Sequence, residues 1–187
     1  MKKLTLIVFL GFILTLISYF SLLSDYNPMF NNEEFTRLKL ALKKAEHEDL
    51  SSLVDLYNII YEAEDKKNCP CEVITKSVDP FRHQISPRTK IYSLKAKKDF
   101  GHDNCLKIEL LQCDYLHGTI GVKSAANYYF NKSLKDLNEK EKITLLVMLE
   151  NPALYNPKRR KEKVEEKVKL YQNIIAEKKA AKSSILQ

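Results

Sequence analysis

Gly121-Val122-Lys123-Ser124-Ala125-Ala126-Asn127-Tyr128-Tyr129-Phe130, continued by Asn131-Lys132-Ser133-Leu134-Lys135-Asp136-Leu137-Asn138, reads as a helix, a tight turn and the start of a second helix. Ala125 and Ala126 give the first helix a small-residue face on which another helix can sit closely. Asn138 and Glu141 have the spacing of a capping box ahead of the apolar run 143–149, where the cap side chain and the third helical residue satisfy each other's free backbone amides. The last helix carries Val164, Val168, Tyr171 and Ile175 at three- and four-residue spacing, one stripe among basic residues. Toward the N-terminus the same period recurs. Asn31, Asn32, Glu33 and Glu34 open a helix bearing Phe35, Leu38, Ala41 and Ala45. Ser51 or Ser52 opens another that presents Leu53, Tyr57, Ile60 and Tyr61, with Glu64 at the end of the stripe.

Between these helical parts the pattern weakens. Cys69-Pro70-Cys71, Asp79-Pro80 and Ser86-Pro87 predict irregular chain from residue 66 to 100, with a weak strand signal over 72–75. Helix is expected again near Asn104 and is expected to break around Gly118 and Gly121. No internal repeat is visible. The chain has 187 residues, 44% hydrophobic and 29% charged, with a net charge of +7, four glycines and six prolines. That is one ordinary domain, neither collagen-like nor low in complexity.

The apolar residues are concentrated at the N-terminus. Residues 4–23 contain no charge and no proline, and 14 of the 20 are Leu, Ile, Val or Phe. Their insertion into a bilayer is favourable by about 4–8 kcal/mol, and the length suits a helix crossing hydrocarbon. Lys2 and Lys3 precede the run and Asp25 follows it, so the positive-inside bias places the N-terminus in the cytoplasm and the rest outside the cytoplasmic membrane. A cleaved signal peptide is the competing reading. The run is longer than a signal core, and Ser21-Leu22-Leu23-Ser24 is a poor cleavage site. The expected organisation is a cytoplasmic stub and membrane anchor over residues 1–24, a stalk helix over 25–48 and a helical domain over 49–187.

All four cysteines, Cys69, Cys71, Cys105 and Cys113, fall in the exported part, where disulfides persist. Cys69 and Cys71 flank Pro70 and are badly placed to bridge each other. On one helix Cys105 and Cys113 would lie about 12 Å apart along the axis, beyond bridging distance. Two cross-pairings remain between Cys69/Cys71 and Cys105/Cys113. Zinc held by His102, Cys105, Cys113 and His117 is the rival, but the paired Cys-x-x-Cys knuckle is missing.

The order G-V, A-A, Y-F, K-S, D-L and E from Gly121 to Glu141, followed by Tyr155-Asn156-Pro157, resembles the peptidoglycan glycosyltransferases of family 51. The resemblance implies a mainly α, lysozyme-like helical domain with one N-terminal transmembrane helix. It implies a transfer reaction in which a glycan chain on lipid pyrophosphate is joined to the 4-hydroxyl of an incoming lipid-linked disaccharide. Its partners would be that lipid-linked peptidoglycan precursor and membrane lipid. Glu64 and Asp65 match the family's E-D pair, Glu64 as general base and Asp65 beside the substrate. Glu109, in Ile108-Glu109-Leu110-Leu111, is the nearest match to the second catalytic glutamate. Lys95, Lys97 and Lys98 echo the basic motif that would face pyrophosphate. The residues themselves define no metal site; a divalent cation enters only through the resemblance, as counter-ion to the leaving pyrophosphate. The F-x-x-H-x-G continuation and the G-G-S-T-I-T-Q-Q motif have no counterpart, and the segment between Glu64 and Glu109 is short.

Each assignment has a plainer rival. Glu64 ends an apolar stripe at a helix C-terminus, where desolvation and the negative helix end both raise a carboxyl pKa, yet acidic helix ends are ordinary. Glu109 beside Leu106, Leu110 and Cys113 also suits the wet side of a helix, and lysine runs are usually solvated. The basic tail Lys158, Arg159, Arg160, Lys161 and Lys163 coats a helix, and near a bilayer it would attract anionic headgroups. Nucleic acid fits the charge but not the compartment, and His83, His102 and His117 form no triad. The alternative function is a catalytically degenerate relative, a membrane-anchored envelope protein that binds glycan, lipid or other cell-wall synthesis proteins.

Overall fold

A computed structural model of the chain describes residues 2–63, 69–76 and 87–185. Among them are eight α-helices: α1 (Lys2–Leu22), α2 (Glu33–Glu46), α3 (Ser51–Ala63), α4 (Pro70–Lys76), α5 (Pro87–Gln112), α6 (Val122–Phe130), α7 (Glu139–Glu150) and α8 (Lys161–Ile185). The described residues hold no strand beyond a single antiparallel bridge between Asp114 and Ile120. The mainly α class and the N-terminal apolar helix are as the sequence implies. Thr5–Leu22 is long and apolar enough to cross a membrane, and none of it is buried in the protein.

Two expectations fail, both at prolines. Residues 72–75 form helix, not strand, within α4. Residues 87–100, expected to be irregular, are the first half of α5, which is interrupted at Gly101 (φ 81, ψ 167). Pro70 and Pro87 each stand at the first position of their helices. There the missing N–H is not needed and the fixed φ is already helical. These prolines start helices and do not break them. In α4 the Cys69 carbonyl accepts from the Glu72 and Val73 amides at 2.8 and 3.2 Å.

The chain forms two compact units, Met1–Lys44 with Cys69–Cys105, and Ala45–Asn68 with Leu106–Gln187. In the first unit Asn32 caps α2, its Oδ1 accepting from the Phe35 amide at 2.7 Å. Phe30, Phe35 and Tyr92 form a buried aromatic trio with centroids 4.9–6.0 Å apart. Cys71 and Cys105 form a disulfide joining α4 to α5, with Cα atoms 5.0 Å apart. Cys69 and Cys113 are free thiols. Of the cross-pairings left open by sequence, one bridge is therefore made, and it takes the Cys105 sulfur away from any zinc site. The closed loop spans a separation of 34 residues. Cys71→Ser is expected to lower stability by about 3 kcal/mol through the freedom returned to the unfolded chain, measured by thermal unfolding with and without reductant. An unchanged midpoint would show that the bridge does not form.

The second unit is built around α7. Ile143 to Met148 are all buried, so this helix is enclosed on every side, and it packs against α8, α3 and α6. Val164, Val168, Tyr171 and Ile175 of α8 are all buried on its inner face, the stripe read from the sequence. Ala125 and Ala126 are fully buried in the same core. The capping box forms: Asn138 Oδ1 accepts from the Glu141 amide at 2.9 Å, and Glu141 Oε2 from the Asn138 amide at 2.9 Å.

Candidate active site

Glu109 lies on the second half of α5, one turn before Cys113, whose amide donates to the Glu109 carbonyl at 2.9 Å. Its neighbours Leu106, Ile108 and Leu110 are buried. The Glu109 Oε2 and the Tyr115 hydroxyl are buried and have no hydrogen-bond partner. Desolvation pushes the Glu109 carboxyl up to about 7 from its ordinary 4.5. Burial, then the charges of Glu109 and Asp114, pushes the Cys113 thiol up to about 12. Tyr115 is raised as well, first by burial and then by Cys113 and Glu109. This patch is apolar and favours neutral forms. A carboxyl that titrates near neutrality can both hold and release a proton at working pH, which general acid–base chemistry requires. The reading of Glu109 as the wet side of a helix does not fit this environment.

After α5 the chain turns back on itself. Tyr115 and Thr119 pair, with the Tyr115 amide 2.9 Å from the Thr119 carbonyl, and the Gly121 amide reaches the Cys113 carbonyl at 2.8 Å. Asn156 closes this region from the other side. It is fully buried. Its Nδ2 donates to the Tyr129 hydroxyl at 3.3 Å and lies 3.4 Å from His117 Nε2, while its Oδ1 accepts from the Lys158 amide at 2.9 Å. The Tyr129 hydroxyl in turn donates to the Tyr115 carbonyl at 2.7 Å. Asn156 thus ties the proline loop to α6 and to the turn that follows Glu109. Asn156→Ala is expected to cost about 2 kcal/mol, because buried groups lose their partner. Thermal unfolding measures it, and a loss below a quarter of that would remove Asn156 as the tie.

The remaining signature residues are structural too. Lys132 Nζ meets both Glu141 oxygens at 2.7 and 3.0 Å, and the Ser133 hydroxyl donates to Asp136 Oδ2 at 2.6 Å. Lysine, serine, aspartate and glutamate hold the turn between α6 and α7. The sequence showed their order but not this lattice. Tyr115 was missed altogether, since one tyrosine in a turn carries no signal until its burial is known.

The other candidates separate. Glu64 and Asp65 lie outside the described residues. Lys95, in the first unit, is 1% exposed. Its ammonium donates to the Leu23 carbonyl at 3.1 Å and pairs with Asp25 at 2.6 Å and Asp99 at 3.1 Å. Burial alone would lower its pKa, but bonds to and charges on Asp25 and Asp99 hold it raised. Lys95 fastens the end of α1 to α5, and its placement disagrees with the expected pyrophosphate contact because three oxygens already surround the charge. Lys97 and Lys98 are exposed on the same helix, Lys98 reaching the Leu23 carbonyl at 3.4 Å. Among the described residues no group of three His, Cys, Asp or Glu could hold a metal ion. Glu109 offers one unpartnered oxygen in an apolar setting, which does not fit a divalent cation, and no step is assigned to one.

Residues 87–178, from the start of α5 into α8, match the family model described as transglycosylase. The matched residues include the stretch from Gly121 to Pro157. Among curated proteins the chain is similar to penicillin-binding protein 1F of Bacillus subtilis (strain 168), 34% identical over 67 residues, which are 36% of this chain and 9% of that protein. It is similar to a biosynthetic peptidoglycan transglycosylase of Haemophilus influenzae (strain PittEE), 38% identical over 50 residues, 27% of this chain and 21% of the relative. Penicillin-binding protein 4 of B. subtilis (strain 168) is 35% identical over 66 residues, 35% of this chain and 11% of the relative. The chain therefore spans less than a quarter of the length of these relatives. Glu109, Asn156 and the capped turn all lie in the transglycosylase-matching part.

Proposed function

We propose that this chain acts as a membrane-anchored peptidoglycan glycosyltransferase, lengthening glycan strands from lipid-linked disaccharide precursor. The observation that carries the reading is Glu109: a carboxyl whose buried Oε2 has no partner and whose pKa burial pushes up to about 7, on the helix that opens the transglycosylase-matching stretch. In the transfer, the acceptor's 4-hydroxyl gives up its proton to a base, its oxygen bonds to the anomeric carbon, and the bond from that carbon to the pyrophosphate oxygen breaks. We assign the base to Glu64 on the resemblance of its E-D pair. Glu109, with its protonated form populated at neutral pH, is assigned to give a proton to the departing pyrophosphate. Asp65, Lys97 and Lys98 are assigned to substrate contact on the resemblance alone; Lys95, whose charge is already held by Asp25, Asp99 and the Leu23 carbonyl, has no such role.

The anchor reading has three supports. Thr5–Leu22 has the length and hydropathy of a membrane span, and Lys2 and Lys3 orient the remainder outward. The Cys71–Cys105 bridge suits an oxidising compartment. The test is polymerisation of labelled lipid-linked disaccharide by the purified full chain in lipid discs, read as a glycan ladder on a gel. The expected result is a ladder with the wild type and none with Glu64→Gln. A folded wild type that makes no ladder would overturn the enzyme reading in favour of a non-catalytic relative, and a ladder undiminished in Glu64→Gln would remove Glu64 as base.

A further inference from the structure

Neither packing nor the transfer reaction accounts for one face of the second unit. Between Lys158 and Lys169 there are seven basic residues against three acidic ones, Glu162, Glu165 and Glu166. Lys158 is occupied, its ammonium 3.7 Å from the centroid of the Tyr128 ring. Arg159, Arg160, Lys161 and Lys163 are exposed, and no ion pair engages them among the described residues. With Ala153 and Glu162 they line an open concavity of about 870 Å³. Lys163 also borders a second depression of about 520 Å³. Its apolar part is Leu154, Tyr155 and Leu170, the last 46% exposed, and its polar part includes Lys167, Lys169 and Glu166.

We propose that this face is a docking surface for the anionic phospholipid headgroups of the bilayer that α1 enters. Headgroup phosphates would be held among Arg159, Arg160, Lys161 and Lys163, with Leu170 and Tyr155 set at the acyl boundary. Four unpaired cations in one concavity seek anions, and the arginine fork matches phosphate oxygens in pairs. The adjoining apolar depression selects an amphiphile over a free anion, since a cationic rim beside an exposed leucine and a half-buried tyrosine is the pattern of helices lying in a membrane interface. The bilayer is also the anionic surface to which this chain is tethered, which raises its effective concentration at the patch. The inference stands apart from the transfer reaction and needs only that α1 be in the membrane.

The test is hydrogen exchange of the full chain in discs of phosphatidylcholine alone and in discs where half the lipid is phosphatidylglycerol. Amides over residues 159–170 are expected to exchange about tenfold more slowly in the anionic discs, and to lose that protection at high salt. R159Q/R160Q/K161Q/K163Q is expected to remove the difference, and Leu170→Ser to reduce it with all charges kept. Exchange over the enclosed helix at 143–148 reports that each variant is folded. Equal protection in the two lipids would overturn the proposal, as would a difference that survives in the quadruple variant. Inorganic pyrophosphate reproducing the full protection in phosphatidylcholine discs would also overturn it, by marking a site for free phosphate.

Discussion

Gly121→Ala is expected to destabilise the second unit by about 4 kcal/mol. Two independent costs meet at this position. Gly121 has φ 81 and ψ 153, a region that residues with a Cβ scarcely enter. A Cβ there would also stand 2.5 Å from the Leu111 carbonyl oxygen and 3.2 Å from its carbon. These are backbone atoms at the end of α5, so neither a rotamer change nor a flexible side chain can relieve the contact. The approach exists because the Gly121 amide donates to the Cys113 carbonyl, folding α6 back beside the end of α5. Gly118→Ala is the control. It has φ +74 but nothing within 4 Å of an added Cβ, so it carries backbone strain alone and is expected to cost about 1 kcal/mol. Thermal unfolding of both variants in the same lipid discs checks the argument. Equal losses would show that the clash with Leu111 contributes nothing.

That contrast shows where sequence was informative. Periodicity placed α2, α3 and α8 because each buries a stripe against a core, and burial is what selects the period; α7, enclosed on every side, is legible from its capping box and apolar run instead. It failed over α4 and the first half of α5. There the sequence contains Cys69-Pro70-Cys71 and Ser86-Pro87, and a proline's meaning depends on whether the helix lies before or after it. Lys95 is hard to place from sequence for a related reason. Among Lys95, Lys97 and Lys98 nothing local distinguishes the buried cation; the distinction comes from Asp25 and the Leu23 carbonyl, some seventy residues away. The signature from Gly121 to Pro157 was legible as an order of residues, and the structure explains it as a lattice of caps, an ion pair and a buried asparagine. Glu109 was legible only through resemblance, since its desolvation depends on the surroundings of α5.

Glu109→Gln is expected to lower transfer by about 100- to 10,000-fold, the range of a lost general acid–base group, while raising stability at alkaline pH. The two effects have one cause. The Glu109 carboxyl has an ordinary pKa of 4.5, and desolvation lifts it to about 7 in the folded chain. Below pH 4.5 the group is protonated in both states and contributes no pH dependence. Between 4.5 and 7 the unfolded chain ionises while the folded chain keeps its proton, so the folded state binds more protons and stability falls as pH rises. Above 7 the loss levels off at a total on the order of 3 kcal/mol. Glutamine stands in for the protonated acid at every pH. The variant is therefore expected to match wild type at pH 4 and to exceed its stability at pH 8 by roughly that amount. Wild-type transfer, if Glu109 supplies the proton, falls as pH rises through 7, and the residual activity of the variant lacks that alkaline limb. Unfolding midpoints and initial rates across pH 4 to 9 test both halves. A variant less stable than wild type at pH 8 would mean that the carboxyl is solvated. Stabilisation without loss of transfer would leave Glu109 a buried acid with no part in the reaction.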